Sequence, residues 1–289
     1  PVRLRLSGLP REVRNEWNFE VISHPAVTAG LLASAVQSAV KSSAGDAAEV
    51  AFVSNAVATL EGLGPIAVRD AGYSALGPSA SSALRQLRVF DLVEAAFSNP
   101  FGRTRVERVE IALALQFGRE NTEIVDVRTD AAEVDPGAIV PVRVRFRRFG
   151  APDEVRSFRI RIPEQARGSR VAVFFQSGAD GELDRPNPMN LRDITDIIRN
   201  RYQASSMVIS IRVPGRGVRT DGHVASHLPP SVLDSMASTT DPDTTRTTES
   251  FARHEVPIGR PVFAGARLEF DVRARPRRLW NDKSGEDYR

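Results

Sequence analysis

The chain has 289 residues, 41% of them hydrophobic and 26% charged, a globular composition that at about 100 to 200 residues per domain holds two domains. The formal charge is only +3 because 36 carboxylates offset 39 basic residues, so the pI near 9.8 reflects how reluctantly Arg deprotonates rather than a surplus built for a polyanion. The absence of cysteine excludes disulfides, thiolate metal sites and cysteine nucleophiles together.

Residues 1–118 read as a mixed α/β domain. Val2, Leu4 and Leu6 alternate with Arg3 and Arg5, which predicts a half-buried strand, and Trp17 to Ile22 predicts a second. Pro25 suits a first helical position. From there Val27, Leu31, Leu32, Ala35, Val36, Ala39 and Val40 trace one face of a helix that stops at Gly45. Strands are expected over Val50 to Leu60 and Ile66 to Val68. A second helix then carries Leu87, Phe90, Val93 and Phe97 on one face and ends before Pro100 and Gly102. Val109, Ile111, Leu113, Leu115 and Phe117 alternate with polar or small residues in a closing strand.

Residues 119–275 change rhythm to short alternating strands, the pattern of an immunoglobulin-like β-sandwich. Asp135-Pro136-Gly137 predicts a turn with Gly at the position of positive φ. Val142, Val144 and Phe146 oppose Arg143, Arg145 and Arg147, and Phe158, Ile160 and Ile162 oppose Arg159 and Arg161, so these two runs are expected to pair as a hairpin around Gly150. An inserted helix over residues 191–202 buries Leu191, Ile194, Ile197 and Ile198 and starts from Asn190 as its cap. Strand returns over Val208 to Val213. Residues 238–256 are rich in Thr, Ser and Asp and read as a long loop. A last strand carries Leu268, Phe270 and Val272, and residues 276–289 read as a charged tail. The fold class expected is α+β, mainly β.

Only Lys41 and Lys283 are lysine, so 37 of the 39 basic residues are Arg, a skew that fits the GC-rich genome of a bacterium. The chain opens at Pro1 with no initiator Met, basic n-region or apolar h-region and is expected to begin inside a longer precursor or after processing. The run from Val27 to Val40 is broken by Thr28, Ser34, Gln37 and Ser38 and falls short of the ~20 residues a bilayer needs, so no membrane span is expected.

Several stretches are similar to bacterial SpoIVB-type serine peptidase domain proteins, in the region that follows the peptidase domain. They are WNFEVISHPAVTAGLLASAV at 17–36, AFSNPFGRTRVERVEIAL at 96–113, VDPGAIVPVRVRFRRFG at 134–150, FRIRIPE at 158–164, LRDITDIIRN at 191–200 and LPPSVLDSM at 228–236. Their order spans residues 1–237. The resemblance implies a peptidase-associated protein of the cell envelope, located in the periplasm, on the outer membrane or outside the cell. The family's chemistry needs a Gly-His-Ser type segment, whereas here the one Gly-His pair, Gly222-His223, is followed by Val224. No catalytic residue carries over.

The nearest thing to a reactive set is Asp221, His223, Ser226 and His227, with Asp221, Ser226 and His227 as acid, nucleophile and base of the types acyl transfer uses. All lie in one Gly-flanked loop with no evident oxyanion donor, so they read as a solvated loop. His223 and His227 at i and i+4 could share a metal only on a helix, which Leu228-Pro229-Pro230 disfavours. His24 and His254 stand alone. No metal and no cofactor is expected, and Gly215-Arg216-Gly217 lacks the context of a dinucleotide loop. Arg143, Arg145, Arg147, Arg159 and Arg161 line one sheet face as a possible basic interaction surface. No aromatic residues interleave with them, which removes the stacking that single-stranded nucleic acid requires. The expectation is a non-catalytic structural and protein-interaction region of an envelope protein, with a protein partner or self-association. The alternative is an accessory part or self-cleavage product of a serine peptidase whose catalytic residues lie upstream of Pro1.

Overall fold

The computed structural model describes residues 1–10, 12–45, 49–75, 82–181, 188–220, 223–225, 231 and 245–274. The protein is mostly β with a smaller helical share. The first half runs β1 (Val2–Ser7), β2 (Glu16–Phe19), α1 (Thr28–Ala44), β3 (Val50–Leu60), β4 (Gly64–Ser74), α2 (Ser82–Arg85), α3 (Arg88–Ser98) and β5 (Val106–Phe117). These strands form one sheet in the order β2-β1-β5-β3-β4. Only β1 and β5 are parallel within it. Alternation puts Leu4, Leu6, Phe52, Ala56, Ile111 and Leu113 on one face, where α1 and α3 cover them with Leu32, Val36, Leu92 and Val93 in a single apolar cluster. Each fully buried Leu or Phe contributes about 1.5–3 kcal/mol, which makes this cluster the main support of the unit.

The second half runs β6 (Thr122–Arg128), β7 (Glu133–Val134), β8 (Ile139–Arg148), β9 (Glu154–Arg161), β10 (Arg170–Ser177), α4 (Leu191–Arg199), β11 (Ser206–Thr220), β12 (His223–Ala225), β13 (Thr245–Pro257), β14 (Val262–Phe263) and β15 (Gly265–Val272). One sheet is ordered β14-β6-β8-β9, the other β12-β11-β10-β15-β7 with β13 also paired to β11. Ile124, Val142, Val144, Phe146 and Ile160 of the first meet Val173, Phe175, Ile209, Met207 and Phe270 of the second in one cluster. The hairpin forms as expected, with Val142 opposite Phe158 and Val140 opposite Ile160. Gly150 turns it at φ 69°. At Asp135-Pro136-Gly137, the Ala138 N–H donates to the Asp135 carbonyl at 3.1 Å and Gly137 takes φ 76°, the conformation that a residue without Cβ adopts freely.

Four expectations need correction. From Thr245 the stretch expected to be a loop over 238–256 is instead a strand, because its backbone pairs with β11 from Ser206↔Pro257 to Thr220↔Thr245. Residues 238–244 lie outside the described ones. The register shifts between Val213 and Arg216, so Pro214, which has no N–H to donate, falls where the ladder is interrupted. The first helix begins at Thr28 rather than Pro25. His24 to Val27 form a turn whose His24 carbonyl accepts from the Thr28 N–H at 3.0 Å, and Val27 and Leu31, expected in the core, are 42% and 47% exposed. The inserted helix ends at Arg199, and it packs not on the apolar cluster of the second half but on α3 and β4, with Ile198 and Ile194 joining the apolar cluster of the first half. Finally, β4 extends to Ser74, well beyond the expected Val68. The tail over 276–289 lies outside the described residues.

Candidate functional site

The catalytic candidates Asp221, Ser226 and His227 lie outside the described residues, and of the set only His223 is placed, on β12 opposite Thr220. Among the described residues no group of three His, Asp or Glu side chains is arranged to hold a metal. No described helix is long and apolar enough to cross a membrane.

Two polar constellations stand out. The first sits where α4 meets the opening half. Arg88 begins α3 inside an apolar setting, and its guanidinium Nε lies 2.9 Å from Asp70 Oδ1 on β4. The Arg88 backbone N–H donates to Asp70 Oδ2 at 3.0 Å. The remaining guanidinium nitrogens donate to the carbonyls of Arg199 at 3.0 Å and Tyr202 at 2.8 Å. A cation therefore meets the C-terminal end of α4, where orphaned carbonyls and the helix dipole favour positive charge. At the other end of α4, Asn190 Oδ1 accepts from the Asp193 N–H at 2.9 Å and caps the first turn. Burial pushes the Asp70 carboxyl above its ordinary value of 3.8, against the pull of Arg88, and the same burial lowers Arg88. Arg201 pairs with Asp91 beside them. A cleft of about 740 Å³ opens here, lined by Asp70, Tyr73, Arg88, Asp180, Arg201 and Val262 among others. Three arginines line it: Arg88 is spent on Asp70, Arg201 pairs with Asp91 while its Nε is buried without a partner, and Arg85 donates to Gln37 Oε1 at 3.4 Å. The Arg88 contacts act as a rivet between the two halves.

The second is the outward face of the sheet β14-β6-β8-β9, where the expected arginine row is found. Alternation along β8 turns Arg143, Arg145 and Arg147 away from the core that Val142, Val144 and Phe146 fill. Along β9 it does the same for Arg159 and Arg161. The row is not uniform. Arg143 meets Asp130 at 2.5 Å, Arg145 meets Asp153 at 3.4 Å and Asp126 at 3.9 Å, and Arg147 meets Asp153 at 3.3 Å. Among the described residues Arg159 and Arg161 have no such partner. Beside the paired arginines Asp126, Arg128, Arg143, Arg145 and Val155 line a shallow depression of about 430 Å³. Val155 is 58% exposed and Ile139 60% exposed, so the face mixes apolar surface with charge.

No family model, curated protein or solved structure matches this chain. The likeness to the SpoIVB-type proteins accordingly rests on the six sequence segments themselves. The rivet escaped the sequence reading: Arg88 sits between Leu87 and Val89 in an apolar run, and a charge in that position is the one signal that pointed to a buried partner.

Proposed function

We propose that this chain is a non-catalytic protein-interaction region of a bacterial cell-envelope protein of the SpoIVB-type peptidase-domain group, in which an α/β unit is riveted to an immunoglobulin-like β-sandwich that presents the contact surface. The sandwich reading draws support from two sheets that bury their inner faces in one cluster. The envelope setting draws support from the ordered family-like segments and from the absence of cysteine, which avoids mispairing in an oxidising compartment. The observation that carries the interaction reading is the outer face of β8 and β9, where solvent-facing Val155 and Ile139 share a face with Arg159 and Arg161, which have no ion-pair partner among the described residues.

Native mass spectrometry and affinity capture from envelope extract of the source cell test it. A defined complex with an envelope protein, or a stable oligomer, is the expected outcome. A clean monomer that retains no envelope protein would overturn it.

A further inference from the structure

β9 forms one border of its sheet, paired to β8 and to no other described strand. In an antiparallel ladder alternate N–H and C=O groups point to each side, so the far side of β9 presents a row of backbone donors and acceptors. The strand is eight residues long with no proline, and its ladder to β8 runs from Ile139↔Arg161 to Phe146↔Glu154 without a register shift. Regular, unbulged borders of this kind are templates for another strand unless their side chains forbid it.

The side chains decide which strand. The outward row of β9 is Val155, Ser157, Arg159 and Arg161. Two copies of β9 joined antiparallel about a two-fold axis would place residues of the same face opposite one another. Within the strand Arg159 and Arg161 would then meet only Val, Ser or Arg, and Asp153, the next residue on that face, is already held by Arg145 and Arg147. Glu154, on the inward row, is already held by Arg156 at 2.6 Å. The row therefore disfavours a second copy and favours a strand that brings carboxylates. Opposite-charge cross-strand pairs are favourable and like pairs are not.

Resting on the interaction reading above, we propose that β9 is a strand-addition site for an extended acidic segment of a partner protein. Carboxylates two residues apart face Arg159 and Arg161, an aliphatic side chain on the same face covers Val155, and the ladder hydrogen bonds of β9 supply the register.

Fluorescence anisotropy with a labelled eight-residue peptide, Glu-Thr-Glu-Thr-Ser-Thr-Val-Thr, whose odd positions share one face and set two carboxylates and one valine against the β9 row in an antiparallel pairing, tests this on the full chain. The expected result is saturable binding that weakens at least tenfold in the Arg159→Glu/Arg161→Glu protein. Binding should also be lost when one alternate set of peptide amides is N-methylated and kept when the other set is. The charge variant is checked for an unchanged denaturation midpoint, and Arg108→Glu, at an exposed position on the sheet of the first half, serves as a control that leaves binding within threefold. Equal binding by the charge variant overturns the proposal. So does binding indifferent to N-methylation of either set, which would mean attraction of charge without strand pairing. A concentration-dependent dimer broken by the charge variant would give the edge to a second copy and overturn it too. An envelope partner captured equally by the charge variant overturns this site while leaving the interaction reading standing, and failure of every partner and peptide removes both.

Discussion

The Arg88 guanidinium lies 2.9 Å from the Asp70 carboxylate with side chains only 7% and 11% exposed, and the same guanidinium holds the carbonyls of Arg199 and Tyr202 beyond the end of α4. One arginine thus ties three elements: the strand that carries Asp70, the helix that Arg88 begins, and the helix inserted from the second half. Such a pair offsets its own desolvation rather than adding much net stability, yet removing one partner is costly because the other stays buried and unpaired.

Arg88→Met is expected to destabilise the protein by about 3–5 kcal/mol, since it strands the Asp70 carboxylate and frees the α4 carbonyls. Urea denaturation measures the loss. Replacing both residues with apolar ones, Arg88→Met with Asp70→Leu, should recover part of it, and a double-mutant cycle isolates the coupling.

The pH response of Asp70 follows from its burial. A folded value raised above 3.8 means the native state holds a proton that the unfolded chain has already released. The stability due to this group is complete below the ordinary value and is lost as pH rises through the folded one. Carboxyl NMR titration should place the Asp70 midpoint above 3.8, and higher still in Arg88→Met, where the attraction that holds it down is gone. Asp70→Asn should flatten the stability slope in that window.

Asn190→Ala is expected to cost about 1 kcal/mol through loss of the cap on α4. Because α4 feeds Ile198 and Ile194 into the core of the first half, the effect should appear as a lower denaturation midpoint for that half, read by the fluorescence of Trp17, and not only as local fraying.

Gly178→Ala is expected to disturb the same junction. A Cβ there would lie 2.0 Å from the Gln203 carbonyl oxygen, a backbone contact that no rotamer change can relieve. Overpacking of this kind costs about 1–3 kcal/mol or more, and a thermal melt should show it.

Much of the architecture was legible because apolar residues recur with the period of their element. Val50 to Leu60 was readable as an apolar run that alternates from Phe52 onward, and the strand has those bounds in the structure. The hairpin of β8 and β9 was readable from the same alternation and from Gly150. What failed was what periodicity does not encode. β13 is Thr, Ser, Arg and Glu over most of its length, so its place comes from backbone pairing with β11 and leaves no apolar rhythm to read. The helix at 191 was recognised by its apolar face, but a face does not name its partner, and Ile198 turned out to pack on the opening half. Periodicity placed the arginine row on one face, yet which arginines are neutralised depends on Asp126, Asp130 and Asp153, brought near by turns and register.

The proposed meeting of β9 and its surroundings with an envelope protein is tested most directly by photo-crosslinking in the source cell. A benzophenone side chain placed at Ser157, on the outward row of β9, should give one covalent product with an envelope protein, while the same group at the exposed Ser38 on α1 should give none. No product at Ser157, or products of equal yield at both positions, would contradict it.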